Sequence, residues 1–147
     1  MAERKIIHAT FVLLNKRGIL LQGESGSGKS DIALRLIENK GAELVADDAV
    51  EIFVRNGKLL GKAPDNLKGM LEVRGIGIVR YPYIKDATVD VLVELKNRPE
   101  EIERMPIKQQ EIILGLEINK IDLYAKESSA PDKIVAALRT LEQNPID

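Results

Sequence analysis

A chain of 147 residues, 44% hydrophobic and 31% charged, has the length of one domain and buries about 68–70% of the surface its unfolded form would expose. It contains no cysteine, which excludes a disulfide scaffold and a zinc–thiolate site. Lys plus Arg is 22 against 23 Asp plus Glu, a net charge of −1, with aromatics at 3%; there is no basic excess to displace counterions from a duplex and little to stack on single strands.

Met1-Ala2-Glu3-Arg4-Lys5 leads into an apolar run broken by His8 and Thr10, too short for a membrane span and with no small-residue cleavage site after it. Together with the missing cysteine this predicts a cytoplasmic protein. Ile6 to Leu14 reads as one strand, followed by a turn at Asn15-Lys16-Arg17-Gly18 and a second apolar strand at Ile19-Leu20-Leu21-Gln22. A helix is expected from Asp31 to about Asn39, with Ile32, Leu34, Leu36 and Ile37 buried and Gly41 as its C-cap. Glu43-Leu44-Val45-Ala46 is a short strand ending in Asp47-Asp48, and Val50 to Val54 is another that turns at Asn56-Gly57. Pro64 to Gly69 reads as a loop or short helix. Leu71 to Val79 alternates but carries Gly75 and Gly77, which suggests a bulge or a close backbone approach. Thr88 to Leu95 predicts a strong strand, Pro99 to Met105 a short helix, Gln110 to Leu114 and Leu116 to Tyr124 two strands, and Pro131 to Glu142 a last helix facing inward through Ile134, Val135, Leu138 and Leu141. No repeat or linker divides the chain. Strands outnumber helices, so the pattern is a mixed sheet and not an even βαβ alternation.

Gly23-Glu24-Ser25-Gly26-Ser27-Gly28-Lys29-Ser30 fits G-x-x-x-x-G-K-[ST] and stands between an apolar strand and a helix, where that loop has to stand. Glycines let successive N–H groups turn toward phosphate oxygens, and the helix N-terminus adds partial positive charge. Lys29 can then reach the β- and γ-phosphates while the Ser30 hydroxyl holds Mg²⁺. The alternative, a Gly/Ser-rich turn beside a surface lysine, does not explain the flanking strand and helix. The loop points to a nucleoside triphosphate.

Asp47 and Asp48 follow Ser30 by 17 and 18 residues at the end of a strand, where ligands of such sheets collect. One carboxylate can serve acid–base chemistry and the other can hold Mg²⁺ directly or through water; the alternative is a solvated turn, against which the flanking apolar Val45, Ala46 and Val50 argue. His8 is the single histidine, and alone, inside a strand, it reads more readily as structural than as catalytic. Asn119-Lys120-Ile121-Asp122 matches the guanine-reading N-K-x-D, but no glycine has Asp three positions before it and the tetrapeptide lies inside a strand pattern. A GTPase is therefore a minor reading.

Taken together, Gly23 to Asp31, Leu44-Val45-Ala46-Asp47-Asp48-Ala49-Val50-Glu51-Ile52 and Leu71-Glu72-Val73-Arg74-Gly75-Ile76-Gly77-Ile78, with His8 fifteen residues before Gly23, resemble the catalytic domain of bacterial HPr kinase/phosphorylase. The likeness is specific over about residues 8 to 80. It implies an α/β fold, a P-loop kinase core of the HPr kinase and PEP carboxykinase-like type with a mixed β-sheet and few helices, in one catalytic domain over 1–147. It implies an ATP- and Mg²⁺-dependent kinase that phosphorylates a serine of HPr, the carrier of the sugar phosphotransferase system, and so regulates carbohydrate metabolism. Neither nucleic acid nor a membrane is an expected partner, and a homo-oligomer stays open.

By the same resemblance Asp47 takes the proton of the serine hydroxyl, Lys29 neutralises the transferring phosphoryl group, and His8 supports Asp47. Ser30 and Glu72 hold Mg²⁺, with Asp48 behind them. Arg104 is the candidate catalytic arginine and Arg98 its rival. The chain departs from the family pattern in lacking the N-terminal domain of long members and the Pro/Arg/Gly-rich segment linked to dephosphorylation, and in following its signature with Arg80-Tyr81-Pro82-Tyr83. It resembles the short, core-only type, for which kinase activity is better supported than phosphorylase activity. The other classes are a small-molecule P-loop kinase, which would carry an arginine-rich lid that Arg98 to Arg104 is too sparse to form, and a non-catalytic ATP-sensing module.

Overall fold

The computed structural model describes residues 3–142; residues 1–2 and 143–147, the two ends of the expected 1–147 domain, lie outside them. A central sheet of six strands is ordered β11 (Gln109–Ile113), β12 (Leu116–Tyr124), β10 (Val91–Lys96), β3 (Arg17–Gln22), β2 (Thr10–Leu14) and β4 (Glu43–Ala46). Strands β12, β10 and β3 run parallel, and every other pairing in this sheet is antiparallel. A second sheet is ordered β1 (Arg4–Ile7), β5 (Val50–Arg55), β6 (Lys58–Lys62) and β9 (Ala87–Thr88), while β7 (Met70–Val73) and β8 (Gly77–Arg80) form a hairpin of their own. Two α-helices complete the fold, α1 (Lys29–Lys40) and α2 (Ala130–Glu142). This is the expected mixed sheet with few helices.

The period-2 alternation of the central strands builds two cores, one on each face of the sheet. Val12, Leu14, Ile19, Leu21, Val91, Val93 and Leu95 pack with Ile32, Leu36, Ile134 and Leu138 of the helices. Phe11, Leu20 and Leu92 point the other way and pack with Val45, Val50, Ile52 and Leu59, against the second sheet. The result is three layers, and each fully buried Leu, Ile or Phe contributes about 1.5–3 kcal/mol. Phe11 fixes the spacing of the second interface. A Cβ on Gly18 would lie 1.8 Å from the Thr88 carbonyl oxygen, which leaves room only for glycine, and a Cβ on Gly61 would press on the Phe11 ring at 2.8 Å.

The first and last predicted helices and most strands are found where periodicity puts them. Gly41 takes φ +78° and its N–H closes on the Leu36 carbonyl, ending α1 as its position demands. Asn56 and Gly57, at φ +53° and +74°, form the β5–β6 turn. Lys40 pairs with Asp132, joining the two helices.

Four expectations are corrected. The single strand from Ile6 to Leu14 is two strands that break at His8-Ala9, because β1 pairs with β5 in the second sheet whereas β2 pairs with β3 and β4 in the central one. The strand from Thr88 to Leu95 likewise changes sheets at Val89-Asp90, where the Asp90 carboxylate accepts the Gly18 N–H at 2.7 Å. Leu71 to Val79 is a hairpin: Gly75 (φ +88°) and Gly77 (φ +117°) serve its turn, and no atom approaches either closely. The helix expected from Pro99 to Met105 is one 3₁₀ turn, Pro99–Glu101.

Candidate functional site

Strand β3 delivers the glycine-rich loop at its carboxyl end, and α1 opens on Lys29 directly after Gly28. Gly26 (φ +79°) and Gly28 (φ +105°) occupy the left-handed region, which lets the loop curl without a Cβ penalty. Gly23 packs against Leu95, and the Asn97 amide donates to Glu24 Oε2 at 3.0 Å, so the loop is tied to the end of β10. Lys29 is buried at 6% exposure, and its ammonium donates to the carbonyls of Gly23 (2.9 Å) and Glu24 (3.0 Å). Burial lowers its pKa below the usual 10.5, against the pull of the Asp48, Asp47 and Glu94 carboxylates.

Strand β4 brings in the aspartate pair. Its edge pairing with β2 places Ala46 beside Phe11, and the chain then turns sharply, with the Ala49 N–H on the Asp47 carbonyl (2.8 Å) and Asp48 at φ +70°. That left-handed residue separates the two carboxylates. Asp47 is 5% exposed. Its Oδ1 accepts from Thr10 Oγ1 (2.9 Å) and Ser30 Oγ (2.7 Å), and its Oδ2 accepts the Glu72 backbone N–H (3.0 Å). Asp48 keeps a side chain 71% exposed.

Around these groups lies a cavity of about 470 Å³, lined on the phosphate side by Ser25, Gly26, Gly28, Lys29 and Ser30, and on the facing side by His8, Asp48, Glu72 and Arg74. Its size falls in the range of small-molecule sites. The β7–β8 hairpin forms one wall, anchored by the Glu72 bond to Asp47 and by Tyr81, whose hydroxyl donates to Glu38 of α1 at 2.7 Å.

The structure therefore gathers Lys29, Ser30, Asp48, Glu72 and His8 into one cavity, with Asp47 just behind Ser30. Two expectations change. His8 contacts Asp48, through the backbone oxygen (Nδ1 at 2.9 Å) and the carboxylate (3.3 Å), and not Asp47; Asp47 turns toward α1, away from the seam between the sheets where His8 stands. Asp48 lines the cavity itself instead of standing behind its wall. Arg104 lies in the exposed segment after Glu101, and neither it nor Arg98 lines the cavity. Thr10 and Arg74 are additions. Thr10 could have been found from the sequence, since a hydroxyl inside an apolar strand requires a hydrogen-bond partner; Arg74 stood in the quoted signature without a role.

The residues present fit a phosphate chain. The Lys29 ammonium rests on carbonyls of its own loop and lines the cavity with Ser25, Gly26, Gly28 and Ser30, so a cation at a glycine-rich loop is available to an anion. They also suit Mg²⁺. Among the described residues no three His, Cys, Asp or Glu gather as a self-sufficient cation cage, and Mg²⁺ is usually held by one or two carboxylates plus substrate phosphates.

The family described as HPr Serine kinase C-terminal domain matches residues 1–143. The HPr kinase/phosphorylase of Burkholderia lata is 39% identical over 134 residues, covering 84% of this chain and 41% of that protein. The HPr kinase/phosphorylase of Burkholderia multivorans gives the same figures. The chain thus spans about two fifths of the length of these curated relatives. Among solved structures, the Hpr(Ser) kinase/phosphatase from Coxiella burnetii superposes with a TM-score of 0.84 at 29% identity, over 94% of this chain and 90% of that one. Among the described residues no helix is long and apolar enough to cross a membrane. The fold, the P-loop and the matched length agree: the chain belongs to the HPr Serine kinase C-terminal domain family.

Proposed function

We propose that this chain is a single catalytic domain that moves the γ-phosphoryl group of Mg-ATP to a serine hydroxyl of an HPr-like carrier protein in the cytoplasm. The observation that carries the reading is the Ser30–Asp47 hydrogen bond (2.7 Å) beside the P-loop lysine, which couples a phosphate-binding loop to a fixed, buried carboxylate. The named relatives and the solved neighbour, called HPr kinase/phosphorylase and Hpr(Ser) kinase/phosphatase, supply the substrate class.

In this reading the bond between the γ-phosphorus and the ADP oxygen breaks, the new bond forms to the serine oxygen, and the serine proton passes to Asp48, which lines the cavity beside His8, and not to the buried Asp47 that the resemblance implied. Lys29 neutralises charge on the moving group, and the Gly26–Gly28 curve offers its N–H groups to phosphate oxygens. Ser30 and Glu72 would hold Mg²⁺, which would supply positive charge against the phosphate oxygens. Asp48 and His8 form the wall on the serine side. ADP leaves with the electrons of the broken bond.

The experiment is a transfer assay with labelled ATP, Mg²⁺ and HPr, the modified residue being read by mass spectrometry. Phosphoserine is expected. In Asp48→Asn, transfer should fall about 10²- to 10⁴-fold, the usual worth of a positioned proton acceptor, with nucleotide affinity retained. Full transfer by Asp48→Asn would remove its assigned role, and a greater loss in Asp47→Asn would move the proton acceptor to Asp47. ATP binding without transfer to any protein would instead identify a sensor.

A further inference from the structure

We infer that the outer face of the β7–β8 hairpin, through Ile76 and Ile78, is the surface on which the serine-bearing protein docks. This inference rests on the proposed transfer to a protein serine. A serine hydroxyl stands one methylene from its backbone, so a serine that enters the cavity brings its own chain down onto the rim. The hairpin is part of that rim, since Glu72, Val73 and Arg74 line the cavity. Directly opposite residues of a hairpin share a face, and Ile78 stands opposite Glu72. The Ile78 side chain therefore lies beside a residue of the cavity wall. Ile76 sits at the hairpin tip, between Gly75 and Gly77.

The fold explains neither isoleucine. The inner face of the hairpin is already used: Leu71 is fully buried, and Val73 packs against the helix-side core. Period-2 alternation gives the outer face to solvent and calls for polar residues there, yet Ile78 is 62% and Ile76 77% exposed. Both leave apolar surface in water with no return in folding energy. Exposed apolar groups rimmed by polar ones mark docking sites. On this rim Arg74 and Arg80 are exposed, and among the described residues neither has an ion pair. They set the chemistry of the partner, an apolar surface around the serine whose edges are acidic or neutral and not basic. The platform is formed in advance, with the Glu72 N–H on Asp47 (3.0 Å), the Tyr81 N–H on the Gly69 carbonyl (2.9 Å) and the Tyr81 hydroxyl on Glu38 (2.7 Å), so docking has little backbone to order. The exposed Met105 and Ile107 do not line the cavity.

The test compares the double variant Ile76→Ser/Ile78→Thr with the conservative Ile76→Leu/Ile78→Val and with Met105→Ser/Ile107→Ser as a control away from the cavity. In each, kcat, the KM for HPr and the KM for ATP are measured, beside the melting temperature and the sedimentation of the free chain. Ile76→Ser/Ile78→Thr should raise the KM for HPr about 10- to 30-fold, the worth of losing an apolar anchor of an interface, with kcat, the KM for ATP and the melting temperature unchanged. The conservative pair and the control should both keep the KM for HPr of the unmodified chain. An unchanged KM for HPr in Ile76→Ser/Ile78→Thr would overturn the inference while leaving the transfer reading in place; if the unmodified chain then self-associates and the variant does not, the face belongs to a second copy. A fall in kcat together with a higher KM for ATP would also overturn it, because the hairpin would then act through Glu72 and not through docking. No transfer to HPr by the unmodified chain would remove the underlying reading and this inference with it.

Discussion

The two flanks of the central sheet are built from the same kind of strand yet end in opposite surfaces. On the β2–β3–β4 flank the polar groups are buried and engaged: Thr10, Lys29 and Asp47 are 0%, 6% and 5% exposed, and each is hydrogen bonded. On the β11–β12 flank and the segment leading to it, Met105 and Ile107 are 84% and 85% exposed, and the buried Asn119 Oδ1 and Asp122 Oδ1 accept no hydrogen bond, Asp122 Oδ1 meeting only the Lys120 ammonium at 3.9 Å. Polar burial is costly unless satisfied. The first flank bears most of that cost with one network, in which Thr10, Ser30 and the Glu72 N–H hold Asp47 before any substrate arrives, although Ser27 Oγ stays unpaired. The second has only the long Lys120 pairs to Glu111 and Asp122 and lies outside the cavity.

The comparison is broken most directly at Lys29. We expect Lys29→Met to lower transfer to HPr about 10²- to 10³-fold, the loss typical of removing one preorganised charge-stabilising donor, with weaker nucleotide binding. Transfer assays and nucleotide titration check both. Wild-type turnover would mean that the ordered flank is only structural.

The sequence made this flank legible because its signals are local. The loop from Gly23 to Ser30 needs a strand before it and a helix after it, and both runs are strongly periodic. Gly41 and Asn56-Gly57 mark where the chain must take positive φ. The strand breaks at His8-Ala9 and Val89-Asp90 were hidden, because apolar residues continue on both sides and passing from one sheet to another leaves no mark in the pattern. The unequal fates of Asp47 and Asp48 were also hidden, since the left-handed turn at Asp48 separates them only in three dimensions. His8 consequently faces Asp48, and Arg104, the candidate implied by the resemblance, lies outside the cavity.

A second prediction concerns the layer beneath both flanks. Gly61→Ala would put a methyl 2.8 and 2.9 Å from the Phe11 ring and 3.1 Å from Val50 Cγ1. Overpacking of this kind costs about 1–3 kcal/mol, which should appear as a melting temperature lower by several degrees. Activity per folded molecule should persist, because the methyl enters the face away from α1. A loss of kcat without a loss of stability would show that the second sheet controls the site.

A smaller effect is expected at Arg104. Since it does not line the cavity, Arg104→Ala should lower transfer by less than about tenfold, or 1.4 kcal/mol, with ATP affinity unchanged. A loss as large as that of Lys29→Met would sharpen the contrast in a different way: the exposed segment after Glu101 would then have to fold over the cavity once substrate binds.

The smallest effect tests whether the ordered flank is held at a cost. Burial lowers the pKa of Lys29 below 10.5, outweighing the three carboxylates that oppose it. Between that lowered value and 10.5 the unfolded chain binds more protons than the folded one, so the contribution of this residue to stability rises with pH across the window. Below the window its charged form is a constant burden on the fold. Lys29→Met should therefore melt at the same or a higher temperature than the unmodified chain at neutral pH, and the gap should close as the pH climbs toward 10.5. If the variant instead melts lower at neutral pH, the ammonium's bonds to the Gly23 and Glu24 carbonyls outweigh its desolvation, and the cavity flank stabilises the fold as well as serving the chemistry.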